Sequence, residues 1–327
     1  MVVQHPLRAV LEPLGAAVPG VLDRLFDREE SVTDAAVIAS VGAPALERLV
    51  DAGLVRRAGD DLVPLVRIDR VGSILLAADR HPHRRRRDFV VGKGPSGLLL
   101  ARHVRPHRRG RFLDLGTGSG ILALMLAGPD APALGIDINP RAVGFARFNA
   151  ALNGHARFEV KQGDFLGGTF DPHLDGRFET VVANPPFVLS PTSTVTYRDR
   201  PLAGDEVGAR TVDQVARALA PGGRGYVLCN WITRRDRAWT DPVRAWTAAL
   251  GVGVGIRRLI ALGPAGYAAM WTRDLPATSR DDAVAAWTAE LEAEGAEQIH
   301  VGVISLERPR RWRRPPTMLA TVDLVPA

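Results

Sequence analysis

The sequence predicts an α/β protein: an open, doubly wound, largely parallel sheet behind a small helix-and-hairpin module. Three observations carry that expectation. From residue 111 onward, short apolar runs alternate with longer helical stretches, the pattern of successive βα units. The first run, "RFLDLG", opens into a glycine-rich loop, "LDLGTGSG", from Leu113 to Gly120. The second, "APALGIDI", carries an acid at its end, Asp137, seventeen residues after Gly120. A glycine loop and an acid at successive strand tips are the parts of a nucleoside-binding crevice.

Residues 31–68 read as the front module. Ser31 or Thr33 can cap a helix through about Ser40. Pro44 suits the first turn of a second helix, with Leu46, Leu49 and Val50 on one face and Gly53 near its end. "LVRR" and "LVPLVRI" then flank the turn "AGDD", a hairpin pattern. Two helices and a hairpin make a winged-helix-like module. Its second helix presents Glu47, Arg48 and Asp51, a net acidic set that repels phosphate, so a scaffold, lid or positioning role is expected in place of DNA binding. Residues 71–110 read as a Gly-, Pro- and Arg-containing connector. Beyond it, "ARFEVKQ", "FETVVANPP" and "RGYVLCNW" supply the next strands, with helices near 120–127, 140–152 and 205–219. Further strands are expected at 255–262, 266–271 and 299–306, and a helix at 281–294. The resulting division is an N-terminal module (1–79), a basic connector (80–110) and the large sheet domain with its C-terminal extension (111–327).

Composition narrows the function classes. A chain of 327 residues with 46% hydrophobic content can bury one large or two modest cores. No apolar run reaches the roughly 18–20 residues of a membrane span, and "MVVQHPLRAV" lacks a charged-then-apolar leader pattern, so a soluble cytoplasmic protein is expected. The single cysteine, Cys229, excludes an internal disulfide. His103 and His107 have helical metal-ligand spacing, but no third ligand stands nearby in sequence, so no metal is expected. Only Lys93 and Lys161 are lysines; the other basic residues are arginine, a bias that fits a GC-rich genome. The net charge of +6 is concentrated: residues 80–111 hold eleven Arg or Lys against Asp88 alone, which leaves the rest of the chain net acidic. The tail "RPRRWRRPP" is basic as well.

The strand tips carry the chemistry. Gly116, Gly118 and Gly120 allow a tight turn and close backbone approach to a ligand, with Thr117 among them. Asp137, followed by Ile138, can accept both hydroxyl hydrogens of a ribose. Up to this point any nucleoside cofactor fits. Asp114, just before the glycines, would repel a pyrophosphate but suits a cofactor bearing an ammonium and a sulfonium. "QGDF" sets Asp164 and Phe165 at the third strand's end, an acid for an exocyclic amine and a ring to flank a base. The fourth strand ends in "NPPF", with no hydride-transfer machinery beside it. Together these point to S-adenosyl-L-methionine in place of a dinucleotide.

In this order, "DLGTGSG", "GIDINPRAV", "QGDF" and "NPPF" resemble the motifs of class I S-adenosylmethionine-dependent methyltransferases, particularly the NPPY/F branch that includes release-factor glutamine and N6-adenine or guanine-N2 methyltransferases. The resemblance covers about residues 88–230. The longer string "NPPFVLSP…YRD" behind a winged-helix-like module is similar to two-domain methyltransferases of actinobacteria. The resemblance implies a Rossmann-like methyltransferase sheet. Phe187 stands where tyrosine is commoner, which removes a hydroxyl contact.

The stretch "VVANPPF" then has a reading. A planar amide or exocyclic amine nitrogen has a delocalised lone pair, which must be aimed in line at the methyl group. The Asn184 side-chain oxygen and the Pro185 carbonyl can accept its two N–H bonds, Pro185 and Pro186 make the loop rigid, and Phe187 can stack on the planar group. Tyr197, Arg198 and Asp199 in "TYRDR", with Asn230 and Trp231 in "CNWI", are further candidates for the acceptor pocket. The acceptor itself stays open between a protein glutamine, a nucleic-acid base and a small natural product. A nucleic-acid-binding regulator with a vestigial cofactor fold is the remaining alternative.

Overall fold

In the computed structural model, the described residues are 6–15, 20–83, 86–167, 174–191, 205–310 and 320–323. The front module begins with α1 (Pro6–Leu11) and a short π-helical turn, Asp23–Asp27. β1 (Val32–Thr33), α2 (Asp34–Val41), α3 (Ala43–Asp51), β2 (Val55–Ala58) and β3 (Asp61–Pro64) follow. Thr33 caps α2, its side chain accepting the Ala36 N–H, and Pro44 sits in the first turn of α3. The three strands order β1-β3-β2. Arg57 clips this unit by pairing with both Asp34 and Glu47.

The expected second arm of the hairpin divides. "LVPLVRI" leaves β3 at Pro64, which has no N–H to continue a ladder. The chain then starts a second hairpin, β4 (Arg67–Val71) with β5 (Ile74–Ala78). The stretch read as connector therefore holds structure: β5 lies in it, and so does α4 (Pro95–Ala101).

The large domain follows as β6 (Phe112–Leu115), α5 (Ile121–Leu126), β7 (Ala133–Asp137), α6 (Pro140–Leu152), β8 (Phe158–Gln162), β9 (Phe178–Ala183), α7 (Glu206–Ala218) and β10 (Leu219–Thr233). It closes with α8 (Asp241–Thr247), β11 (Gly253–Leu262), α9 (Pro264–Thr272), α10 (Ala277–Ala293), β12 (Gln298–Glu307) and β13 (Ala320–Asp323). One expected strand is a helix. Residues 266–271 lie in α9, because Gly263 caps and Pro264 initiates a helical turn. Its buried positions, Tyr267, Ala268 and Thr272, follow helical spacing, and the rings of Tyr267 and Trp271 meet at a tilt one turn apart.

The eight strands order β13-β11-β12-β10-β9-β6-β7-β8. The β6, β7, β8, β9 and β10 ladders are parallel, and β12 runs antiparallel to β10 and β11. Alternation along the strands fills two cores. Leu113, Leu115, Val181, Ala183, Val227 and Cys229 face the α7 side, while Phe112, Val182, Tyr226 and Leu228 face α5 and α6. A third core fills the front module and includes Leu152 of α6, so the module is packed on the large domain. Two asparagines one helical turn apart extend that contact. Asn149 accepts the Ala77 N–H and donates to the Ala77 carbonyl. Asn153 does the same for Leu75. Together they pair with the exposed edge of β5 as a neighbouring strand would.

The topology places the site. The chain runs β6, β7, β8 outward on one side, then returns to lay β9 against the other side of β6. The loops after β6 and β9 diverge at this switch point and leave a crevice between them. The register makes the convergence close: Leu115 pairs with Ile136 and with Ala183. Gly116, Asp137 and Asn184 thus leave adjacent strands at one level.

Candidate active site

A cavity of about 990 Å³ occupies this crevice. Its floor is Gly116 to Ser119, Asp137 to Asn139, Asp164 to Leu166 and Asn184 to Val188. Three other parts complete it: the segment from Phe89 to Gly97, front-module residues including Arg67 to Arg70, and Met270 and Trp271 of α9. Among its described lining residues, aspartates outnumber arginines and lysines. A net basic chain thus presents an acidic cavity, which suits a cationic ligand and disfavours a polyphosphate.

On the glycine side, the loop is tied down before any ligand arrives. Gly116 N–H and Thr117 N–H both donate to the Ile136 carbonyl, at 2.8 and 3.0 Å. Gly118 N–H donates to Asp137 Oδ2 at 2.8 Å, and Asn139 N–H to Oδ1 at 2.9 Å. Burial pushes the Asp137 carboxyl up, and these two backbone donors pull it back. Gly118 has φ of +56° and open space where a side chain would begin, so its backbone is bare to the cavity. Gly120 has φ of +84° and is packed beneath, where a Cβ would press on Phe158 at 3.0 Å; it shapes the turn and does not line the cavity. Asp164 Oδ1 accepts Leu166 and Gly167 N–H, a local turn that sets Phe165 against Gly116.

Asp114 departs from expectation. It is fully buried, it is not among the lining residues, and it accepts the Thr117 hydroxyl at 2.8 Å. Burial pushes its carboxyl up to about 7. It braces the glycine loop from below. Trp231 departs as well: it is wholly buried in the α7-side core, with Nε1 donating to the Trp239 carbonyl. Alternation along β10 explains this, because the position is one of the inward set that includes Val227 and Cys229. Asn230 is buried too and donates to Tyr267 Oη. Tyr197, Arg198 and Asp199 lie outside the described residues.

On the Asn184 side, the amide is half-buried. Nδ2 donates to Ser96 Oγ at 3.1 Å, which leaves Oδ1 buried with no partner among the described residues. Pro185, Pro186 and Phe187 line the cavity beside it. Phe187 meets Trp271 edge-on, with centroids 6.3 Å apart. Sequence reasoning missed Ser96, Met270 and Trp271. Ser96 lay in the presumed connector, and Trp271 in a presumed strand.

Residues 79–83 and 86–93 form a strap beside the site. Asp79 accepts the Val90 N–H and pairs with Arg141, and Asn139 Nδ2 donates to the Asp88 carbonyl. The basic cluster is therefore divided. Arg80 pairs with Glu29 and Arg86 with Asp88 on the strap. Arg102 to Arg111 lie before β6, at the opposite end of the parallel strands.

The large domain's crevice can be compared with known proteins. Residues 94–238 match the family model described as the methyltransferase small domain. That segment is similar to a methyltransferase small domain. It begins at Gly94, so α4 and Ser96 belong to it. Among curated relatives, the tRNA1(Val) (adenine(37)-N6)-methyltransferase of Porphyromonas gingivalis W83 is 37% identical over 128 residues, covering 37% of this chain and 48% of that protein. The release factor glutamine methyltransferase of Deinococcus radiodurans is 36% identical over 121 residues, covering 33% and 41%. The chain thus spans about half the length of these relatives or less. Among solved structures, the YcgJ protein of Bacillus subtilis aligns with a TM-score of 0.41 at 15% identity, covering 65% of this chain and 98% of that one. The front module and α9 fall outside the matched segment.

Proposed function

We propose that this chain is an S-adenosylmethionine-dependent methyltransferase acting on a planar amide or exocyclic amine nitrogen held by the NPPF loop. The Asn184 amide carries the reading. Its nitrogen is engaged by Ser96, so its buried oxygen is the acceptor that lacks a donor among the described residues. A buried acceptor left unpaired costs about 1–3 kcal/mol, a cost relieved when an acceptor substrate brings an N–H there. Relatives act on adenine N6 and on a release-factor glutamine by name; both are planar nitrogens.

The residues fit the cofactor. Gly118 offers bare backbone, Asp137 keeps further lone pairs for ribose hydroxyls, and Asp164 with Phe165 bounds the base-sized end of the floor. S-adenosylmethionine supplies an electrophilic methyl on a sulfonium. The protein's part is orientation. Asn184 Oδ1 and the Pro185 carbonyl hold the acceptor's hydrogens, turning its lone pair toward the glycine loop. As the nitrogen gains its new bond and positive charge, both oxygens stabilise it more strongly than in the ground state. The extra proton leaves to water afterwards, so no strong base is required. No helix among the described residues is long and apolar enough to cross a membrane, and a cytoplasmic site of action goes with this reading.

A natural-product acceptor is the second reading. It is favoured by the front-module wall, where Leu14, Gly15 and Arg70 narrow the cavity. Calorimetry with S-adenosylhomocysteine and with NAD tests the cofactor. Saturable binding of the first alone is expected, and binding of NAD alone would overturn the proposal.

A further inference from the structure

The Asn184 oxygen has a counterpart on α9, beside the NPPF loop. Trp271 lines the same cavity, and its Nε1–H is buried without a hydrogen-bond partner among the described residues. An indole N–H is a donor only, so burial leaves it wanting a lone pair. Its ring is held from two sides, by Phe187 of the NPPF loop and by Tyr267 one turn earlier, each with centroids 6.3 Å away. The helix is itself anchored to the loop. Tyr267 Oη accepts the Leu189 N–H at 3.0 Å and a hydrogen from Asn230. Tyr267 is wholly buried. The orientation of Trp271 is thereby coupled to that of the NPPF loop.

We propose that Trp271 is the second positioning contact for the acceptor, donating its indole N–H to a lone pair next to the nitrogen that Asn184 holds. This rests on the reading of the site as an N-methyltransferase. Two residues that line one cavity, linked through Phe187, each hold a buried polar atom without a partner among the described residues, and together they select a planar group of matching pattern: an N–H flanked by a lone pair. A primary carboxamide and an amino group beside a ring nitrogen have that pattern. A simple aryl amine lacks the lone pair and would leave Nε1–H unpaired. Selection against it follows from the cost of that unpaired donor. Because Trp271 belongs to α9, outside the matched segment, acceptor choice resides in the extension and cofactor use in that segment.

The test uses small probes on the full chain saturated with S-adenosylhomocysteine. Benzamide and 2-aminopyridine carry the pattern, and aniline is the control, at a pH where all three are neutral. We expect at least one patterned probe to bind on the order of tenfold more tightly than aniline, a neutral hydrogen bond's worth. The patterned probe also moves the Trp271 indole N–H resonance. Benzamide preference points to carboxamide acceptors, and 2-aminopyridine preference to amino-heterocycles. Trp271→Phe keeps a ring against Phe187 and removes the donor, so the preference falls to near unity while S-adenosylhomocysteine affinity is kept. Equal binding of all three probes to the wild-type chain overturns the proposal without need of the variant. Failure of S-adenosylhomocysteine to bind at all overturns the methyltransferase reading instead.

Discussion

The two halves of the cavity floor are finished to different degrees. On the glycine side, the loop backbone is already tied down, although the buried Asp114 Oδ1 and Ser119 Oγ beneath it have no partner among the described residues. Gly116 and Thr117 donate to Ile136, Gly118 and Asn139 donate to Asp137, and Thr117 braces Asp114. On the NPPF side, Asn184 Oδ1 and Trp271 Nε1 have no partner among the described residues. The difference separates two kinds of recognition. A cofactor of fixed shape is met by a loop built in advance, at no reorganisation cost. The acceptor must complete a set of hydrogen bonds that the protein leaves open, which confers selectivity because a wrong acceptor leaves buried groups unpaired.

The sharpest way to break this comparison is at Asn184. Asn184→Ala should lower single-turnover methyl transfer by about 10²–10³, the usual loss of one preorganised polar contact. Affinity for S-adenosylhomocysteine and the melting temperature should stay near wild type. A variant that keeps its rate would reduce the NPPF loop to a structural turn.

The opposite pattern is expected on the glycine side. Asp137→Ala removes the acceptor of the Gly118 and Asn139 N–H groups together with the ribose contact. Cofactor affinity should fall by about 1.5–3 kcal/mol, the range for hydrogen bonds to a charged group. Calorimetry with S-adenosylhomocysteine checks this, and unchanged affinity would remove Asp137 from the site.

The smallest effect on activity is expected beneath the loop, at Asp114. Its folded value of about 7 lies above that of the unfolded chain. Between about pH 4 and that value, the unfolded chain has released the proton while the fold still holds it. The contribution of this carboxyl to stability is therefore full below the window and lost as pH rises through it. Asp114→Asn keeps an acceptor for the Thr117 hydroxyl and cannot ionise. Melting temperatures of the two proteins should diverge across this window, with the variant losing less as pH rises. Parallel curves would show that Asp114 is already ionised in the fold.

The parallel sheet, the glycine turn and the four strand-tip motifs were all legible in the sequence. The reason is local: strand alternation, glycines suited to positive φ and a proline pair state their geometry within a few residues. The role of Asp114 was not legible. An acid one residue before the strand ends reads the same whether it faces the ligand or supports the loop, and burial decides which. Trp231 failed in the same way, since only the pairing of β10 shows which face a strand-end ring joins.

The sequence alone determined a cofactor crevice, its glycine loop and the amide at its mouth, because each depends on contacts between near neighbours in the chain. Tertiary structure decided the rest. It turned part of a presumed connector into α4, with Ser96 against Asn184. It made a presumed strand into α9, with Trp271 against Phe187, and it sent the basic run to two ends of the sheet. Those contacts join residues that lie far apart in sequence, Ser96 to Asn184 and Phe187 to Trp271, and local periodicity carries no record of which distant surface a side chain will meet.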